Sequence, residues 1–160
     1  MFTGISEGVC GFAWHTMVLP AIQPLADIGV INKHAGCIVV VDPNAPEFQV
    51  IFTATINGAE EDQKYMHIAM AKAAVSHRTG LSSSLVQTQY PYRYREGDTK
   101  WGGSTVDRGG LVVAFSGVQA VYDEMISEWM ASAIRALCRN EMMRSGGVME
   151  NDNSFLIGDD

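Results

Sequence analysis

"KWGGSTVDRGGLVVAFSG", Lys100 to Gly117, holds two glycine pairs, an Asp-Arg between them, and a hydrophobic run at its end. Two readings compete for it: a loop that cradles phosphate, or a β-hairpin whose glycines let another group come close. The spacing is neither G-x-x-x-x-G-K-[ST] nor G-x-G-x-x-G, and no helical pattern follows Gly109, so the phosphate loop is rejected. Ser104 to Val106 reads as a strand, Asp107-Arg108-Gly109-Gly110 as a tight turn, and Leu111 to Ser116 as the return strand. Gly102 and Gly103 lie ahead of the hairpin, where residues without Cβ let backbone N–H groups reach a ligand.

Upstream, Gly36 to Asp42 is a β-branched run ended by Asp-Pro-Asn, a turn signal. Phe48, Val50, Phe52, Ala54 and Ile56 then alternate with polar residues, which predicts a strand with one buried face and a hairpin with its predecessor. Residues 61–80 read as a helix closed by Gly80 and apolar on nearly every side, through Met66, Ile68, Met70, Ala71, Ala74 and Val75. Residues from about Ser6 to Asp27 are helical in part, kinked or split by Pro20 and Pro24. Leu81 to Thr99 reads as a loop. The last helix runs from Asp123 to about Arg144, with Met125, Ile126, Trp129, Ala133, Ala136 and Leu137 as its apolar stripe. The grouping predicts one α+β domain over 1–144, a central antiparallel sheet flanked by N- and C-terminal helices packed together on one face. Residues 145–160 are expected to be an acidic tail, mobile or ordered at an interface.

The chain has 160 residues, 47% of them hydrophobic and 18% charged, which suits one domain with a real core. A net charge of −7 argues against nucleic acid or an anionic membrane as partner. No apolar run is long enough to span a bilayer, and the N-terminus lacks a basic leader. Cys10, Cys37 and Cys138 form no C-x-x-C pair, so a soluble protein of a reducing cytoplasm is expected. The all-round apolar helix predicts a homo-oligomer, since exposed patches of that size are disfavoured on monomers.

Two stretches are similar to the GlcG/HbpS-like family of heme-associated proteins. They carry Val41-Asp42, Asn57-Gly58-Ala59, Lys72-Ala73, and the glycine pair, hairpin and acidic helix start of "GGSTVDRGGLVVAFSGVQAVYDE". The resemblance covers roughly Gly36 to Leu137. It implies a profilin-like sandwich, homo-oligomers, and small-ligand binding that includes heme in some members. The chain departs from the family pattern at Ala45 to Phe48, in a tyrosine-rich insert around residues 90–95, and at Phe115, which is expected to narrow the pocket.

Lys72 is either a lysine whose stem packs while its amine reaches water, or a cation held in a pocket for a carboxylate, as the family position implies. Desolvation could also make it a base. Trp101, Gly102, Gly103 and Asp123 are expected to converge with Lys72 on one cleft, roofed by the Tyr90–Arg95 loop with Tyr92. Arg78 is a further carboxylate contact, and Asp42 or Asp123 a proton carrier. Of the histidines, His15 on the N-terminal helix is the candidate ligand for heme iron. These residues support a binder of heme or a related tetrapyrrole. They also support a small enzyme of isomerase, lyase or hydrolytic-deaminase type acting on an anionic carboxylic acid of a catabolic pathway. A purely structural oligomer is the third reading.

Overall fold

The Lys100–Gly117 stretch forms the predicted hairpin: β3 (Ser104–Val106) and β4 (Val112–Ser116) pair antiparallel, with Val106 opposite Val112. The turn is tied by Asp107 N–H to Leu111 O at 2.8 Å and Gly110 N–H to Asp107 O at 3.0 Å. The computed structural model describes residues 2–145, without the side chains of 59–62 and 144–145. The acidic tail expected over 145–160 lies outside the described residues apart from Ser145, which ends the last helix.

β1 (Cys37–Val41) pairs antiparallel with β2 (Val50–Thr55) on one side and with β4 on the other, giving the sheet order β2-β1-β4-β3. Both central strands are buried along their whole length, because both faces of the sheet are covered. α3 (Ala59–Thr79) covers one face, where Ala69 and Ala73 meet Cys37, Val39, Val41, Val112 and Ala114. Its small residues let the helix approach the sheet closely.

The other face carries Ile38, Val40, Val113 and Phe115. There the N-terminal helices, α1 (Glu7–Phe12) and α2 (Leu19–Asp27), pack with α5 (Ala120–Ser145), the C-terminal helix. The fold is therefore α+β, with an antiparallel sheet and the terminal helices together on one face.

Four local expectations need correction. The prolines do not split the N-terminal helix: Ala13–Val18 continues it as a π-helical stretch, with Leu19 N–H donating to Trp14 O. Pro20, near the start of α2, has no N–H to donate back into the preceding turn and directly follows the π-helical stretch. The alternation in β2 breaks at a bulge. Val40 faces Phe52 but Val41 faces Val50, so Ile51 is the extra residue. Val50 consequently packs on the α3 side, Ile51, Phe52, Ala54 and Ile56 on the other, and Phe48 lies exposed outside the strand.

The region read as a loop contains a short helix, α4 (Ser83–Gln89), and a 3-10 turn at Pro91–Arg93. α4 is held by tertiary contacts, a buried Val86 and the Ser83 hydroxyl accepting from Ser104 N–H at 3.0 Å, which local sequence does not reveal. In α5 the buried stripe is Ile126, Met130, Ile134 and Cys138, flanked by Asp123, Ser127, Ala131 and Ala133, whereas Ala136 is exposed. No helix among the described residues is long and apolar enough to cross a membrane.

Candidate functional site

α3 and α5 lie on opposite faces of the sheet, yet a residue from each meets at the end of β4. Lys72 projects from the sheet side of α3, and its Nζ donates to Phe115 O at 3.0 Å and to Asp123 Oδ2 at 2.9 Å. The two side chains are 2% and 4% exposed. Asp123, in the first turn of α5, uses its other oxygen to accept from Val118 N–H at 2.9 Å, so the carboxylate also fixes the chain entering the helix.

Burial pushes the Lys72 ammonium below the usual lysine range and the Asp123 carboxyl above the usual carboxylate range; their mutual attraction opposes both shifts. A network of small polar groups surrounds the pair. Ser127 Oγ donates to Gly103 O at 2.6 Å, and Ser104 Oγ donates to Lys72 O at 3.0 Å. The Ser76 and Ser104 hydroxyls are 2.6 Å apart.

Gly103 makes this meeting possible. A Cβ on it would lie 2.6 Å from Lys72 Nζ and 2.8 Å from Asp123 Cβ, and its φ of +133° disfavours any side chain. Gly103 therefore backs the ion pair and does not line the cleft beside it. Gly102 is buried against Ser84, where a Cβ would lie 3.3 Å from the Ser84 Cβ.

Beside the pair opens a cleft of about 220 Å³ lined by Lys72, Asp123, Trp101, Tyr65, Ile68, Lys33 and residues 116–120. Trp101 is 64% exposed and gives the cleft an aromatic wall. The helix entrance forms the polar wall. Tyr122 and Asp123 N–H groups bond to Gln119 O, while the amides of Ala120 and Val121, the first two of the same turn, have no acceptor within the helix. A helix N-terminus with a buried lysine beside it favours an anion.

The loop before β1 also borders the cleft, and Gln119 ties it to the helix entrance. Its Oε1 accepts from Asn32 N–H at 3.1 Å and its Nε2 donates to Val30 O at 3.4 Å. Gly117 lets the same loop close in: a Cβ there would sit 2.3 Å from Ala35 O. Lys33, on this loop, donates from Nζ to Tyr65 Oη, and the ammonium lies 4.7 Å from that ring's centroid.

Of the residues singled out in the sequence, Lys72, Asp123 and Trp101 line the cleft, with Gly103 directly behind. The others lie elsewhere. Asp42, at the opposite end of β1 from the cleft, accepts from Asn44 N–H at 2.8 Å. Arg78 is engaged by Asp98 at 3.0 and 2.6 Å and by Arg93 O at 3.1 Å. Tyr92 is 78% exposed beside Tyr90, and the Tyr90–Arg95 segment does not line the cleft. His15 is exposed on the π-helical stretch and does not line it either.

Phe115 does not narrow the cleft. Its ring is in the core, 6.1 Å from Trp14, and only its carbonyl reaches Lys72. Burial pushes the Cys10 thiol up to about 12, and all three cysteines are buried, so none is an activated nucleophile. Among the described residues no three His, Cys, Asp or Glu side chains form a metal-binding group.

The sequence reading missed Lys33, Tyr65 and Ile68, and it set the start of the last helix, with its unpaired N–H groups, near Tyr122 and Asp123, where the helix opens at Ala120. The one local signal was the change from a β-branched run to Ser116-Gly117 directly before an amphipathic helix, which marks a strand-to-helix turn.

No protein-family model and no curated protein matches the chain. Solved structures do. Klebsiella pneumoniae protein ORFY, of family DUF336, superposes with a TM-score of 0.56 at 13% identity, over 82% of this chain and 91% of that one. A PduOC:heme complex gives 0.54 at 15% identity, over 81% and 94%. A double mutant of Streptomyces reticuli HbpS gives 0.51 at 20% identity, over 86% and 88%. The sheet order, the α3 face and the paired terminal helices thus belong to a known architecture, and the chain has the fold of the GlcG/HbpS-like proteins.

Proposed function

We propose that the protein binds a small organic anion, a carboxylate on a flat apolar body, in the cleft at the start of α5. The observation that carries this reading is the Lys72–Asp123 pair beneath the first-turn amides of a 26-residue helix, with Trp101 as an apolar wall beside them. The helix end receives the negative group, and Trp101, Ile68 and Tyr65 cover the body. Titration calorimetry with benzoate tests it. Saturable binding is expected, weakened about fivefold to tenfold by Trp101→Ala, whose loss of ring contact does not disturb the core. Absence of saturable heat would overturn it.

The same pair suits an enzyme of isomerase, lyase or hydrolytic-deaminase type acting on the anion. Burial lowers the pKa of the Lys72 ammonium and raises that of the Asp123 carboxyl, the direction that acid–base work by such a pair requires. Turnover of a bound carboxylate by the native protein, lost in Lys72→Arg with binding retained, would separate an enzyme from a binder.

A tetrapyrrole is the second ligand class, favoured by the likeness to PduOC solved with heme. The cleft itself, of about 220 Å³ and without a histidine, does not fit one. An adjoining hollow of about 480 Å³ fits better, because His34 lies there with Lys33 and Lys64. His34 would hold the iron and the two ammonium groups would face acidic side chains; the group, when bound, supplies a redox-active or ligand-binding iron. A Soret shift on adding hemin, lost in His34→Ala and retained in His15→Ala, supports this placement. No spectral change would dismiss it.

A further inference from the structure

Lys72 holds a donor that the fold does not use. Two of the three N–H groups on its Nζ are taken, by Phe115 O at 3.0 Å and Asp123 Oδ2 at 2.9 Å. The third has no acceptor among the described residues, although Lys72 is 1% exposed and lines the cleft. Residues 59–62, whose side chains lie outside the described set, are far from it, about 15 Å back along α3 at the nearest. A buried ammonium kept only for packing would have its donors paired. Asp123 also cancels its charge. What the nitrogen still offers the cleft is a donor and, once a proton has passed to Asp123, a lone pair.

We infer that the cleft captures a carbonyl acid, a carboxylate with a ketone or aldehyde carbon beside it, through an imine on Lys72 Nζ. This rests on the proposed reading of the cleft as a carboxylate site. Lys72 passes a proton to Asp123, and the amine lone pair attacks the carbonyl carbon. The carbonyl oxygen takes one proton from the nitrogen and one from Asp123, and it leaves as water while the C=N bond forms. The product nitrogen keeps one N–H and its positive charge, so Asp123 keeps a cationic partner and no buried charge is left unmatched. Burial favours the step, since it holds the Lys72 ammonium below the ordinary lysine range. Trp101, Ile68 and Tyr65 give the C=N bond apolar neighbours, which slow its hydrolysis.

Reductive trapping of the native protein with benzoylformate and cyanoborohydride, read by intact-mass and peptide mass spectrometry, tests the inference. A single adduct is expected, on Lys72. The exposed Lys33, Lys64 and Lys100 are internal controls, because an ammonium in water stays protonated at neutral pH. Excess benzoate should suppress the adduct about fivefold or more. Lys72→Arg keeps a cation beside Asp123 and removes the nucleophile. It should yield no adduct, with calorimetric benzoate affinity within about threefold of native. If that variant does not fold, the peptide map of the native protein decides alone. Benzoate binding without an adduct on Lys72 overturns the imine and leaves the anion site standing. Adducts spread evenly over Lys33, Lys64, Lys72 and Lys100 also overturn it, showing unselective reaction. If benzoate neither binds nor protects, the carboxylate reading fails, and the inference with it.

Discussion

Lys72 of α3 and Asp123 of α5 reach each other past the end of β4, from opposite faces of the sheet, and form a buried ion pair at 2.9 Å. Such a pair costs desolvation of both charges and is strongly missed when only one is removed. Lys72→Met leaves a buried carboxylate, so it is expected to destabilise the fold by about 3–5 kcal/mol. Lys72→Met/Asp123→Leu should recover part of this loss. It does not recover all, because Val118 N–H then lacks its acceptor. Denaturant unfolding of the single and double variants measures both.

Gly103→Ala should behave as a folding variant. The new methyl would meet Lys72 Nζ at 2.6 Å and Asp123 Cβ at 2.8 Å, on backbone at φ +133°. A loss of about 2 kcal/mol or more is expected, seen as a lower denaturation midpoint. A midpoint equal to the native one would show that the packing behind the pair is looser than described.

The Arg78–Asp98 pair gives a pH signature. Hydrogen bonds from Arg78 hold the Asp98 carboxyl below its ordinary value of 3.8. A carboxyl with a depressed folded-state pKa contributes stability that is present above about pH 3.8 and lost as pH falls through the lower folded value. The pair is partly exposed, so the contribution is about 1 kcal/mol. Asp98→Asn should therefore be less stable than the native protein at pH 6 and approach it near pH 3, by thermal unfolding at matched ionic strength.

A homo-oligomer is expected from the apolar surface a single chain leaves open. Ile28 is 73% exposed, Val121 66% and Phe12 54%. Light scattering at micromolar concentration should report a mass at least twice that of one chain; a monomer would contradict it.

The hairpin at residues 104–116 was legible because turn chemistry and strand composition are local. The bulge at Ile51 was not, since it arises from the register with β1 and leaves the alternation of β2 intact on paper. The stripe of α5 was misread for a related reason. Asp123 and Ser127 are buried by partners on α3 and by the Gly103 carbonyl, and hydrophobic periodicity gives polar residues no weight. Lys72, Asp123 and Trp101 were found through chemistry and resemblance. Lys33 was missed because a lysine in a loop carries no pattern; its place depends on Gln119, distant in sequence.

The anion site at the start of α5 is tested most directly by amide chemical shifts of the ¹⁵N-labelled protein during a benzoate titration. Saturable shifts should concentrate on Val118, Gln119, Ala120 and Val121, with the Trp101 indole N–H moving on the same curve. Shifts that fail to saturate, or that cluster away from these residues, would contradict the account.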